Sequence, residues 1–472
     1  MNRTYTTDIP KHENQQVTLM GWVDARRDHG KLLFIDLRDR TGLAQVVFFA
    51  GQKELYQQAD TLRPEWVIKI TGTVQKRPEA MKNPNLATGE WELGASSLTI
   101  FNKSETPPFD LTGDGYDIGE ETRMKYRYLD LRRGRLQKNM RLRHKIAMFI
   151  REYLTVRDFV EITTPILSKT TPEGARDFLV PSRLHKGSVY ALPQSPQQYK
   201  QLLMIAGFER YFQFPHCFRD EDSRADRAFG EFTQLDIEMS FVEQEDILGL
   251  TEALFTELVE TLFPHKRIKE KPWPRLSHKE ATQTYGTDKP DLRDNKNNPD
   301  ELAFAWIVDF PLFTEQSEKD FFHGSGNAKF APSHHMFTAP HPDDTALLDT
   351  NPQKVRGLQH DMVLNGFEVG GGSIRIHDPV VQEKVFSLIG FSEEQKKQFH
   401  HMLTAFTYGV PPHGGIAPGF DRFLYVLLGE PNLREVMAFP KTGDGRDLMM
   451  EAPSSATEEQ LNELGIQIKK HV

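Results

Sequence analysis

The spacing of apolar positions divides the chain into two differently patterned parts. Residues 16–103 alternate. Val17, Leu19 and Gly21-Trp22-Val23 open a run of period two, and Leu32 to Leu37, Leu43 to Phe49, Trp66 to Val74 and Trp91 to Ile100 continue it. Alternation sends successive side chains to opposite faces of a strand, so five short strands are predicted, interrupted by one helical patch, Lys53 to Leu62. Strands of this length and spacing suit a small barrel, of which an OB-fold is one kind, and also a sandwich. Further on the period lengthens. Ile146, Phe149, Ile150, Tyr153 and Leu154 fall on one face of a helix, and Phe159 to Thr164 is a β-branched strand stopped by Pro165. Strands and helices alternate to residue 265, including an amphipathic helix from Leu248 to Leu262. Residues 286–303 are polar and read as a surface loop, and 304–440 return to strands and helices. The whole reads as an α+β multidomain chain.

Length and charge narrow the class. At roughly 150 residues per domain, 472 residues predict two or three domains. The net charge of −9 argues, taken whole, against a nucleic-acid binder. Its distribution argues otherwise. Residues 1–105 carry 14 Lys/Arg and 13 Asp/Glu, and residues 123–145 carry ten Lys/Arg against one acid, Asp130. That run follows a Pro/Gly/Asp-rich stretch, 104–122, with the composition of a linker, and is interleaved with Tyr126 and Tyr128. It is either a solvated face or a contact for an RNA backbone. The one cysteine, Cys217, has no partner for an internal disulfide, which fits a reducing compartment. The N-terminal residues lack the apolar core of a secretion signal, and no run approaches the ~18 apolar residues of a membrane span, so a cytoplasmic location and no membrane are expected. The 17 His include no H-E-x-x-H, and the pairs His334-His335 and His400-His401 are adjacent, so structural zinc is not expected.

Three features carry chemistry by their order: the helix and strand ending at Pro165; Phe218-Arg219-Asp220-Glu221 followed by Glu231-Phe232-Thr233-Gln234-Leu235-Asp236-Ile237-Glu238; and Gly415-Ile416-Ala417-Pro418-Gly419-Phe420-Asp421-Arg422. Together they resemble motifs 1, 2 and 3 of class II aminoacyl-tRNA synthetases. Joining a carboxylate to the α-phosphate of ATP brings two anions together, and paired guanidiniums offset that charge. The resemblance assigns this catalytic role to Arg219 and Arg422. It also implies ATP contacts by Asp220, Glu221, Phe232, Glu368, Gly419, Phe420 and Asp421, and Mg²⁺ held by Asp361 and Glu368. It implies a catalytic domain built on an antiparallel sheet flanked by helices, and a homodimer formed through motif 1.

Longer stretches are similar to the bacterial type of aspartyl-tRNA synthetase. They are Thr171 to Asp177, Gln194 to Lys200, Glu368 to His377, His334-His335 and Phe439 to Thr442. The resemblance implies Lys200 and Arg375 on the carboxylate of an aspartate substrate, Glu173, Gln197 and Asp236 on its ammonium, and Arg219, His334 and His335 beside it. Two cations facing a neutral amide would be left unpaired, at a cost of several kcal/mol in a dry pocket. The alternating N-terminal part is then an OB-fold that reads the anticodon, with Phe34 as a stacking platform, Gln45 as a base reader, and Arg27, His29, Arg77, Ala80 and Glu92 around them.

The resemblance implies residues 1–103 as the anticodon domain, 104–135 as a hinge, 136–455 as the catalytic domain and 456–472 as a tail. Three departures stand out. The inserted domain usual after Gly286 to Arg293 is absent; only Asp294 to Ala303 remains. The motif 2 loop, Arg224 to Phe232, is one residue longer and lacks a Gln. His29 with Ala80 resembles members that charge both tRNA(Asp) and tRNA(Asn), which implies an amidotransferase partner downstream. The rival readings are an asparaginyl or lysyl enzyme, a non-catalytic RNA-binding relative, and an ammonia-dependent asparagine synthetase. Arg375 with Lys200 argues against the first, retention of Arg219, Arg422 and Glu368 against the second, and the N-terminal strands against the third.

Overall fold

The computed structural model describes residues 3–170, 175–222, 226–315 and 328–469. Two compact units result, Met1–Leu111 and Thr112–Val472. In the first, β1 (Gln16–Asp28), β2 (Leu32–Arg38), β3 (Leu43–Phe49), β4 (Val67–Lys76) and β5 (Trp91–Asn102) close into a barrel of order β1-β2-β3-β5-β4, which settles the choice between barrel and sandwich. Helix α1 (Lys53–Asp60) is the predicted interruption. Alternation works as expected: Leu33, Ile35 and Leu37 enter the barrel core with Val46, Phe48, Ile68 and Ile70. Closure leaves no unpaired edge, so every strand is hydrogen-bonded on both sides.

The second unit is built on an eight-stranded sheet. Its strands are β6 (Val160–Glu161), β7 (Arg210–Gln213), β10 (Asp236–Ser240), β11 (Arg275–Ser277), β12 (Phe304–Val308), β13 (Gln359–Leu364), β14 (Phe367–Ile374) and β15 (His413–Pro418). The order is β11-β12-β13-β14-β15-β10-β7-β6, antiparallel except for the two edge pairs. A separate hairpin, β8 (His216–Arg219) with β9 (Gly230–Thr233), stands outside it. Helices α4 (Gly134–Thr155), α5 (Gln197–Ile205), α6 (Gln244–Leu262) and α7 (Phe420–Leu428) accompany the sheet. The predicted stripe of α4 is buried: Ile146, Ile150 and Leu154 are fully covered, and they pack with Ile247, Leu254 and Leu258 of α6. Each such aliphatic side chain contributes about 1.5–3 kcal/mol by leaving water.

Two sequence expectations are corrected here. Residues 112–135 are no linker. They form α2 (Glu120–Lys125), α3 (Arg127–Asp130) and the entry to α4, all within the second unit. Nor is the basic run simply a solvated or RNA-facing surface. Arg123, Arg127 and Arg133 are buried and converge on Asp130, at 3.0, 2.6 and 2.8 Å. Arg123 and Arg135 both reach Glu435, and Arg127 donates to the carbonyls of Arg434, Met437 and Ala438. The positive charge was legible; its buried carboxylate partner 300 residues away was not. The expected tail also carries a helix, Glu458–Leu464. Among the described residues, no helix is long and apolar enough to cross a membrane.

Burial raises the Asp130 carboxyl, but hydrogen bonds from Arg123 and Arg133 outweigh it and hold the group below its usual value. Removing it strands three buried guanidiniums. Asp130→Ala is expected to destabilise the second unit by about 3–5 kcal/mol. Urea unfolding of the full chain, followed separately for the two units, checks this; an unmoved midpoint for the second unit would contradict it.

Candidate active site

Strand β10 sets the floor. Ile237 and Met239 turn into the core, while Asp236 and Glu238, two residues apart, share the opposite face and are fully buried. Facing them, α5 supplies Lys200, and Arg375 follows directly after β14. The Lys200 ammonium donates to both Asp236 oxygens, at 2.9 and 3.1 Å, and lies 3.4 Å from Glu238. Arg375 grips Glu238 with Nε at 2.9 Å and Nη2 at 3.0 Å. Four charges in a dry site thus balance. Burial, only partly offset by Lys200, pushes the Asp236 carboxyl up. Burial acts the same way on Glu238, but the charges of Arg375 and Lys200 outweigh it and bring that carboxyl down to about 2. Gly415 is required opposite Glu238 by close approach, since a Cβ there would lie 2.2 Å from Oε2.

The sequence places Glu238 in the second motif without a role, although a signal for one was present: an acid two residues after Asp236 on a strand must share its face. Lys200 and Arg375 were expected as cations awaiting a substrate, whereas each already has a carboxylate. His335 joins the cluster, its Nε2 2.5 Å from Arg375 Nη1 and its Nδ1 accepting from the Phe337 amide at 3.1 Å. Burial and the nearby Arg375 and Lys200 charges hold His334 down to about 3 and His335 well below its usual value, so both rings are neutral. Gln197 lines the same side of α5, donating to Gln201 at 3.1 Å. Glu173 lies outside the described residues. Gln194 anchors the chain just beyond it, exchanging hydrogen bonds with the Ala175 backbone at 3.0 and 2.8 Å.

A pocket is lined by Arg219, Glu221, Phe232, Glu368, Gly419 and Arg422 among others. The β8–β9 register sets Arg219 opposite Gly230 and Phe232 opposite Cys217, so the guanidinium lies 5.1 Å from the Phe232 ring centre. Arg422, in the first turn of α7, donates to the Glu368 carbonyl at 2.9 Å and the Asp226 carbonyl at 3.1 Å. Glu221 is paired with Arg227, and Asp220 with Arg176 at 3.5 Å. Of the two residues expected beside Arg422, one lies in the core and one borders the pocket. Phe420 is 3% exposed and packs edge-on against Phe214, so it is core. Asp421 borders the pocket, but both its oxygens are engaged, by Arg143 and by the Thr233 amide.

Asp361 and Glu368 face one another across a bulge. The β13–β14 register shifts between Met362 and Val363, which sets Glu368 opposite Val363, on the Asp361 side. Gly371 leaves the space between them open: a Cβ there would be 3.2 Å from Asp361 and 3.7 Å from Glu368. Burial and the Glu368 charge push the Asp361 carboxyl well up, and Asp288 and Lys289 also act on it, so the polar segment after residue 286 reaches the site. Two hard carboxylate donors facing one space suit Mg²⁺, with the Arg422 guanidinium 3.5 Å from Glu368. Among the described residues no cluster of three or more such side chains forms, so phosphate oxygens and water would complete the shell.

On the barrel, Phe34 turns away from the core that its neighbours enter and is 4% exposed, with the His29 ring edge-on at 5.5 Å. Arg27 pairs with Phe34 in register, holds Asp36 at 2.5 Å and reaches Gln45 at 3.4 Å; Gln45 donates to Glu92 at 2.8 Å. Arg77 is buried beside them, and its Nη2 has no hydrogen-bond partner among the described residues. Ala80 is exposed in a short turn nearby in sequence.

Comparison with known proteins places this arrangement. Residues 119–443 match the model of class II tRNA synthetases (D, K and N), and residues 17–101 that of the OB-fold nucleic acid binding domain. The chain belongs to the class II tRNA synthetases of this group. It is 43% identical to the "Aspartate--tRNA(Asp/Asn) ligase" of Rubrobacter xylanophilus, over 99% of this chain and 97% of that protein. It is 38% identical to the "Aspartate--tRNA ligase" of Bacillus licheniformis, over 97% of each. The first alignment runs over 592 positions, against 472 residues here, so a domain's length of the relative has no counterpart. Among solved structures, the asparaginyl-tRNA synthetase of Pyrococcus horikoshii shares the fold at TM-score 0.74 and 23% identity, covering 94% of this chain and 98% of that one. The aspartyl tRNA synthetase of Entamoeba histolytica does so at 0.71 and 24%, covering 93% and 91%.

The buried imidazoles make an acid-sensitive core. Burial lowers His413 to about 4 from 6.5. The unfolded chain takes up that proton first, so the stabilisation is complete above pH ~6.5 and is lost as pH falls toward ~4. Melting of the second unit is expected to fall through that window, and less steeply in His413→Gln. Parallel curves for the two proteins would contradict this.

Proposed function

We propose that the chain is an aspartate–tRNA ligase: L-aspartate and ATP give aspartyl-adenylate and pyrophosphate, and the 3′ end of tRNA then takes the aspartyl group. The observation that carries this is the balanced cluster of Lys200, Arg375, Asp236 and Glu238. Aspartate brings both an ammonium and a side-chain carboxylate. The ammonium takes Asp236, which frees Lys200; the carboxylate then takes Lys200 and Arg375, and the balance is kept. Asparagine would bring the ammonium without the second anion and leave the dry site one charge too positive. Lysine would add two. His334 and His335, neutral, complete the wall without adding charge.

Positioning and charge stabilisation do the chemistry. Arg219, stacked against Phe232, meets the α-phosphate and the substrate carboxylate, while Arg422 meets the γ-phosphate, so extra negative charge at phosphorus is stabilised in line. Glu221 reads the adenine amino group. Mg²⁺ on Asp361 and Glu368 would supply further neutralisation of the phosphates. No protein nucleophile is needed.

The barrel reads the anticodon, with Phe34 stacking after His29 moves aside. Exposed His29 and Ala80 favour acceptance of tRNA(Asn) besides tRNA(Asp), with a downstream amidotransferase. The names of relatives from Rubrobacter and several other genera, "Asp/Asn", support this. The exposed apolar side chains Met148 on α4 and Val160 on β6, half-open to solvent, support a homodimer through this edge. The lone buried Cys217 suits the cytoplasm.

ATP–pyrophosphate exchange is expected with aspartate and not with asparagine or lysine; exchange driven by either of these would overturn the substrate. Charging of both tRNA(Asp) and tRNA(Asn) transcripts is expected, and failure with tRNA(Asn) alone would overturn the dual specificity. Phe34→Ala is expected to lower kcat/KM for tRNA about 10–100-fold, the worth of a stacked base, with exchange unchanged. Unchanged charging would remove Phe34 from the anticodon site.

A further inference from the structure

Arg143 lies on α4, away from every side chain assigned above to substrate. Its guanidinium nonetheless joins three elements. Nη1 donates to Asp421 Oδ1 and to the Val436 carbonyl at 3.3 Å, and Nη2 donates to Thr233 Oγ1 at 3.1 Å. The ring of Phe420 lies 4.9 Å beneath it. The second Asp421 oxygen accepts from the Thr233 amide at 2.7 Å, which closes a three-residue loop of hydrogen bonds. Thr233 directly follows Phe232, and Asp421 directly precedes Arg422.

The β8–β9 hairpin needs such a tie. It is a two-stranded sheet outside the main ladder, and its end meets the start of α7 through an isolated bridge, Gln234 to Gly419. Arg219 stands on this hairpin and Arg422 on α7, so the spacing of the two guanidiniums follows the spacing of the two elements. We propose that Arg143 is a positioning residue for the activation step: it fastens the first turn of α7 to the end of β9 and fixes the separation at which Arg219 and Arg422 receive the nucleotide phosphates. A planar fork reaches acceptors on both elements in one fixed geometry, which an ammonium on a flexible stem does not impose. The charge of Asp421 is thereby matched within the protein by Arg143 rather than by Arg422. The proposal rests on the ATP reading above.

The test uses the full-length chain in aspartate-dependent ATP–pyrophosphate exchange, with KM for ATP and for aspartate measured separately. Arg143→Gln is expected to raise KM for ATP and lower kcat, each about tenfold or more, with KM for aspartate within twofold. Arg143→Lys, which keeps the charge at Asp421, should recover part of the loss. Thr233→Val removes one bond and leaves Arg143 in place. It should raise KM for ATP by a smaller factor, and it serves as the readout should Arg143→Gln fail to fold. Equal shifts in both KM values, or a loss that only tracks the folded fraction, would overturn the proposal while leaving the ligase reading intact. Absence of aspartate-dependent exchange in the unmodified chain would overturn both.

Discussion

The catalytic unit is arranged around a cluster of four buried charges. Asp236, Glu238, Lys200 and Arg375 are each at most 1% exposed. Such a cluster survives only if every member is paired, because one uncompensated buried charge costs several kcal/mol. That constraint dictates the local structure. Two acids must share one face of β10, the cations must come from separate elements on the other side, and a residue without Cβ must stand at Gly415. It also dictates what can bind. A ligand group that enters the cluster must exchange partners without changing its sum of charges, and the ammonium and side-chain carboxylate of aspartate together do so, while its other carboxylate lies toward Arg219.

The nucleotide side solves a different problem, since there the ligand is strongly anionic. Arg219 is held by the Gln194 carbonyl, and Arg422 by the carbonyls of Glu368 and Asp226, with the side-chain carboxylates of those two residues 3.5 and 3.7 Å away. Both guanidiniums line the pocket and so face an entering anion. The arginines around Asp130 are instead buried among their partners and serve the fold. Access to the pocket separates the two uses of the same residue type.

This is also where the sequence was readable and where it was not. Period-two alternation predicted all five barrel strands, because a half-buried sheet enforces it. The i, i+3, i+4 stripe found α4, but its start was misplaced by twelve residues, since Gly134 to Lys145 are mostly polar, with only Leu136, Met140 and Leu142 apolar, and are held by distant acids. Lys200, Arg375 and Asp236 come together in one cluster, and Arg219 and Arg422 line one pocket. Phe420 and Asp421 sit beside Arg422 in sequence, yet a helix turns adjacent side chains about 100° apart, and theirs face the core and Arg143. A role for Glu238 was legible by strand period and was passed over. The Asp130 network and the Arg143 tie join residues about 90 to 310 positions apart, and no local pattern encodes such pairs.

The most direct test of the account is a crystal structure of the chain with L-aspartate bound. The account predicts the side-chain carboxylate within hydrogen-bond distance of both Arg375 and Lys200, the ammonium on Asp236, and the Lys200–Asp236 contact lengthened beyond its present 2.9 Å. An aspartate bound with the Lys200–Asp236 and Arg375–Glu238 pairs intact and its side chain directed elsewhere would contradict it.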